Sequence, residues 1–115
     1  MSLVDFRDYY ENVHCKLCEK YTYGVRRYVR RYLEPLPAAR DGAVAEMPFD
    51  VITEIWFDDA TIFGKAVEMT AQGVLPPEID ADEPKLFDRG TIRHAVAVEC
   101  DSDPASLNVP RKRSR

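Results

Sequence analysis

Apolar residues near the start of the chain recur at helical spacing. Phe6, Tyr10, Val13 and Leu17 are separated by four, three and four positions, which places them on one side of a helix. The spacing predicts an amphipathic helix over residues 3–20, with Ser2 as its cap and Asp5 where a capping box carries its acid. His14 lies one residue round from Val13, at the rim of the apolar face, and one turn from Tyr10, Leu17 and Cys18. Tyr21-Thr22-Tyr23-Gly24 ends this helix. Residues 25–33 carry two patterns at once. Val25, Tyr28, Val29, Tyr32 and Leu33 make a good helical stripe, so periodicity alone favours helix. As a strand, Tyr28 and Tyr32 share one face with Arg26 and Arg30, and Val25, Val29 and Leu33 share the other with Arg27 and Arg31.

Residues 34–48 read as a loop punctuated by Pro35, Pro37, Gly42 and Pro48. Residues 50–57 are rich in β-formers and predict a strand, with Glu54 unusually sharing a face with Ile52 and Trp56. Asp58-Asp59 supplies an N-cap for a second helix over residues 60–72, in which Ile62, Phe63, Ala66, Val67 and Thr70 face the core and Gly73 ends the run. Residues 74–90 are a proline- and acid-rich connection whose apolar pair, Leu86 and Phe87, is expected to anchor it to the core. Residues 91–99 alternate as a last strand, with Ile92, His94, Val96, Val98 and Cys100 on one face. His94, among valines, reads as a core or interface histidine.

With 115 residues there is room for one domain and one core. The expected domain covers residues 1–101, followed by a disordered basic tail over residues 102–115. Residues 111–115 carry four positive charges and no negative one, which leaves the first 110 residues with 12 Lys and Arg against 20 Asp and Glu, a net of −8. An acidic body argues against a nucleic-acid partner. No apolar run approaches the roughly 20 residues a membrane helix needs, so no membrane partner is expected. The N-terminus lacks a signal-peptide pattern, and the expected location is cytoplasmic. Three cysteines, Cys15, Cys18 and Cys100, make no even disulfide framework. Cys15-Lys16-Leu17-Cys18 lies too deep in its helix for a redox pair, and a metal site lacks ligands, so no metal and no cofactor is expected.

Several stretches together are similar to one family. Phe6-Arg7-Asp8-Tyr9-Tyr10-Glu11-Asn12-Val13-His14 looks like an aromatic-rich first helix ending in histidine. Arg27-Tyr28-Val29 looks like the second strand, and the run from Asp50 through Phe57 to Asp59 like the third strand and its turn. Asp82-Glu83 with Leu86-Phe87-Asp88 looks like an acidic loop before the final strand. In this order the pieces resemble the EthD-like family of the dimeric α+β barrel group. The resemblance implies an α+β, ferredoxin-like subunit, β-α-β-β-α-β, whose sheet pairs with a second copy in a homodimer barrel. It also decides residues 25–33 for strand, against their periodicity. Family members carry a strand before the first helix, and here the helix begins almost at Met1. The missing strand would be central, between the last strand and the third. The expectation is an upstream start with Met1 internal; closing up of the other strands, or a partner chain filling the gap, are the alternatives.

Two side chains are candidates for catalysis. His14 titrates near neutral pH and can move a proton, or it can simply bond a backbone carbonyl. Glu54, beside Trp56, is expected to be partly desolvated with a raised pKa, or to orient His14, or to pair with an arginine. Tyr10, Tyr28, Trp56 and Phe87 are the candidates for binding a small hydrophobic ligand; core packing explains the aromatics equally well. Resemblance to other dimeric barrels implies a small cofactor-free lyase, cyclase or isomerase acting on a hydrophobic carbonyl compound in a degradation or secondary-metabolic pathway. The alternative is a non-catalytic accessory or ligand-binding protein of such a pathway. A nucleic-acid contact through residues 26–32 and the tail is the weakest of the three readings.

Overall fold

The computed structural model describes residues 1–38 and 40–108, and the basic run over residues 111–115 lies outside them. The chain opens with α1 (Leu3–Tyr9), passes through a π-helical turn (Tyr10–His14) and continues as α2 (Cys15–Glu19). Ser2 caps α1 by accepting the Asp5 backbone N–H at 3.1 Å. In the π-helical turn the Cys15 N–H reaches back five residues to the Tyr10 carbonyl. One extra residue in the turn rotates everything after it about the axis. The expected apolar face is corrected accordingly: Val13 is exposed, while His14, predicted at the rim, is only 3% exposed.

Residues 25–32 form β1 (Val25–Tyr32), paired antiparallel with β2 (Val51–Phe57). Alternation then sorts the side chains. Tyr28 and Tyr32 from β1 and Val51 from β2 pack against Phe6, Tyr10 and Cys15, so this sheet face meets the first helix. Thr53 lies on the same face, its hydroxyl 2.8 Å from that of Tyr10. Arg30 reaches Glu11 with two hydrogen bonds, of 2.9 and 2.8 Å, and Tyr32 donates to the same carboxylate at 2.5 Å. The Arg30 guanidinium draws the Glu11 carboxyl down to about 2, against its partial burial. These bonds tie helix to strand where a helix at residues 25–33 would have left the β2 ladder unpaired.

α3 (Ala60–Gln72) begins at Asp59, whose side chain accepts the N–H groups of Thr61 and Ile62, and ends at Gly73 in the left-handed conformation, φ 68°. It buries none of its residues completely, and Phe63 and Val67 remain largely exposed, so the expected core stripe lies on a thinly covered surface. Ile62 rests against Gly24, which has φ 77° and whose missing Cβ would meet the Ile62 Cδ1 at 2.5 Å. Gly24→Ala is expected to cost about 1–2 kcal/mol, chiefly for the left-handed backbone because the isoleucine tip can move aside; a thermal melt reads this directly.

The connection expected over residues 74–90 contains a helix, α4 (Pro77–Asp82), and a 3-10 turn (Glu83–Lys85). α4 is pinned to the end of α2 by Glu78, which accepts from Tyr21 at 2.7 Å and from Lys20 at 3.3 Å. The last strand is a second correction. Among the described residues the sheet has only two strands, and residues 92–103 form no regular element. A strand needs a neighbour for its N–H and C=O groups, and residues 91–99 have no ladder partner; Val96 and Val98 are exposed. The segment expected as tail contains one 3-10 turn (Pro104–Ser106).

Candidate functional site: the His14–Asp82 pair

The π-helical turn and the end of α4 bring a buried imidazole and a buried carboxylate together. His14 Nδ1 lies 3.0 Å from Asp82 Oδ2. Tyr9, the last residue of α1 and immediately before the π segment, donates its hydroxyl to the other oxygen of Asp82 at 2.5 Å. Asp82 is 6% exposed, and Lys85 approaches its Oδ1 at 3.7 Å from the rim. Tyr10 and Phe87 enclose the imidazole edge-on, with ring centroids 5.4 and 5.7 Å away. Phe87 also meets Phe6 and Tyr10, so the expected anchoring of the connection by this residue holds.

The electrostatics follow from these contacts. Burial pushes the His14 pKa down, but hydrogen bonds with Cys18 and Asp82 outweigh it and leave the imidazole above its ordinary 6.5. Burial pushes Asp82 up, and the bonds from Tyr9 and His14 reverse this, leaving the carboxyl below its ordinary 3.8. Burial raises Tyr28 well above the usual phenol range, and its neighbours Tyr10 and Cys18 add to the rise. Two polar links result, Tyr9–Asp82–His14 between the first helix and α4, and Tyr10–Thr53 between the first helix and the sheet. The His14–Asp82 link can hold a proton on the imidazole and keep its acceptor ionised.

Of the sequence candidates, His14, Tyr10, Tyr28 and Phe87 fall in this cluster. Glu54 and Trp56 do not. Their neighbour Thr53 faces the helix, so Glu54 and Trp56 point to the opposite side of β2. There Glu54 is bound by Arg31 at 3.0 and 3.4 Å and by the Trp56 indole N–H at 3.3 Å. Arg31 first, then Trp56, holds its carboxyl below the usual range, the reverse of the expected rise and in keeping with the alternative of an arginine partner. Arg27 lies over the Trp56 ring at 5.3 Å. His94, expected among core valines, is exposed beside a hollow of about 310 Å³ that Arg89 and Asp80 also line. A second hollow of about 220 Å³ lies between Leu3, Phe6, Tyr32 and Pro35. Among the described residues no group of three His, Cys, Asp or Glu is placed to hold a metal ion, and no helix is long and apolar enough to cross a membrane.

Asp82 is the residue of this candidate site that the sequence did not reveal as the partner of His14. It stands 68 residues away, at the end of a helix read as loop. A local signal for that helix exists: Pro77 in the first turn, followed by Glu78 and Asp80, is a common helix opening. Nothing local points Asp82 at His14.

No curated protein and no solved structure matches the chain. The family model described as the EthD domain matches residues 1–90, which include both strands, the π-helical turn, α4 and every residue of the His14 cluster. The two-stranded α+β protein described above therefore belongs to the EthD family.

Proposed function

We propose that this EthD-domain protein is a small cofactor-free enzyme, of the lyase, cyclase or isomerase kind, that moves a proton on a hydrophobic carbonyl compound in a degradation or secondary-metabolic route in the cytoplasm. The observation that carries this reading is the buried His14 imidazole held on the Asp82 carboxylate between the edges of Tyr10 and Phe87. In it His14 is the base and acid. Asp82 fixes the ring and favours its protonated form. Tyr10, Tyr28 and Phe87 supply an aromatic wall for the ligand.

A homodimer with a ferredoxin-like barrel is part of the same reading. Ile52 is 45% exposed beside Trp56 on the sheet face turned away from the first helix. This exposed apolar surface favours a second copy covering that face, where Glu54 and Trp56 would lie at the junction.

The test is hydrogen exchange at the α-carbon of a hydrophobic ketone, 2-tetralone, in D2O, followed by NMR. The expected result is exchange faster than in buffer, lowered by about 10²–10⁴-fold in His14→Gln, whose amide can still donate to Asp82 so that the circular dichroism spectrum is retained. Exchange at the buffer rate in the natural protein would overturn the catalytic reading. One observation favours the accessory, ligand-binding alternative: neither of the two hollows described above is lined by His14.

A further inference from the structure

His14 is 3% exposed and lines neither of the hollows described above, so a ligand must move something to reach it. Two of its neighbours are fixed. Tyr10 belongs to the core cluster and its hydroxyl meets that of Thr53, and Phe87 packs on the same cluster. α4 is fastened differently. It buries Asp82, which holds the His14 Nδ1, and Ile79, which stands outside the core cluster. Its other side chains are a proline, an alanine and two acids. Glu78 ties it to Lys20 and Tyr21 at 3.3 and 2.7 Å, and Arg89 holds Asp80 and Glu83 at 3.1 and 3.5 Å. These fastenings lie at the rim, where ion pairs are weak. At one end α4 is joined to α3 through Gly73, in the left-handed conformation, exposed Val74 and Leu75, and Pro76. At the other, the 3-10 turn (Glu83–Lys85) separates it from the anchored Phe87. A short helix that buries so little apolar surface can open while the core stays folded.

We propose that α4 is a lid that carries Asp82 onto His14: closed, it completes the imidazole–carboxylate pair, and raised, it uncovers the imidazole for the ligand. The acid of the pair therefore travels with the cover. Opening separates Asp82 from His14 and also releases the Tyr9 hydroxyl, while Tyr10 and Phe87 stay in the core as the wall of the site. Closing shuts out water and fixes the ring in one step. The buried pair is the main fastening, and the contacts of Glu78 and Arg89 are the minor ones. The inference rests on the reading above for what enters, a hydrophobic carbonyl compound; the opening itself belongs to the chain and does not depend on turnover.

The experiment uses the full chain and diethyl pyrocarbonate, which acylates accessible imidazole, with the adduct on each histidine quantified by peptide mass spectrometry over time. His14 and His94 are the two histidines of the chain, and exposed His94 is the internal clock. Each opening breaks the buried pair, so His14 is expected to react roughly 10²–10⁴-fold more slowly than His94. Raising a six-residue helix exposes little surface, so this ratio should stay level as urea is added below the unfolding transition. Glu78→Ala, which removes the ties to Lys20 and Tyr21, should raise the ratio about fivefold. A His14 adduct that forms only as the whole chain unfolds in urea, or a ratio unchanged in Glu78→Ala, would overturn the lid. The urea series in the natural chain decides even where the variant does not fold. A level His14 ratio in a protein that fails to exchange 2-tetralone would overturn the proton-transfer enzyme and leave the lid standing.

Discussion

Asp82→Ala is expected to destabilise the protein by about 3–5 kcal/mol, the usual cost of removing one partner from a buried charged pair. The size follows from what is left behind. His14 is 3% exposed, and its Nδ1 has Asp82 as its carboxylate partner. Without it the imidazole stays charged and unpaired, or gives up its proton and still leaves a buried donor unmet. Tyr9 loses less, because its half-buried hydroxyl can turn to water. Asp82→Asn keeps the shape and isolates the charge. The His14 pKa is raised in the folded state, so its contribution is complete below 6.5 and is lost as pH rises through the folded value. The Asp82 pKa is lowered, so its contribution is complete above 3.8 and is lost as pH falls through the folded value. The stability difference between the natural chain and Asp82→Asn should therefore be largest near pH 5 and shrink toward both acid and alkali. Urea unfolding at pH 3, 5 and 9 measures it; a difference independent of pH would show that the pair carries no charge.

How far the sequence disclosed this arrangement depended on the range of each interaction. Ser2, Asp59 and Gly73 act within one turn of their own position, and the helix ends they predict are where the structure has them. Residues 25–32 were ambiguous because Arg-Tyr-Val-Arg-Arg-Tyr fits two periods, and the choice is made by β2, some 25 residues later, and by Phe6 and Tyr10. The π-helical turn defeats a straight 3.6-residue count: with one residue added, Val13 leaves the apolar face and His14 enters it. Residues 91–99 alternate as a strand should, yet alternation describes a face and not a partner, and they pair with neither outer edge of the two-stranded sheet. His14 was found because its residue type titrates near neutral pH. Asp82 was not, because a carboxylate at the end of an acidic helix looks like solvent-facing charge until the fold is known.

Phe6→Ala should be the most damaging single change in the apolar core, at about 3–5 kcal/mol for a buried phenylalanine. Phe6 meets Tyr10, Tyr32 and Phe87 edge-on at centroid distances of 6.0, 6.3 and 6.0 Å. It is thus the ring that joins α1, β1 and the end of the α4 connection. Few of the described residues are buried, and of the apolar ones Phe6, Tyr10 and Cys15 form a single cluster while Ile79, on α4, stands apart. Collapse of neighbours into the void is limited, because Tyr10 is held by Thr53 and Tyr32 by Glu11 through their hydroxyls. The loss is then a large share of the roughly 5–15 kcal/mol that holds a small domain together. Phe63→Ala on α3 is the control. Its ring is 38% exposed and tilts against Phe57 alone among the aromatic rings, so about 1 kcal/mol or less is expected. Urea unfolding at one protein concentration compares the two, with the midpoint expected to fall steeply for Phe6→Ala at an unchanged slope. Equal losses would mean that α3 is packed as tightly as the first helix, and would move the centre of the core from the His14 cluster to the far end of the sheet.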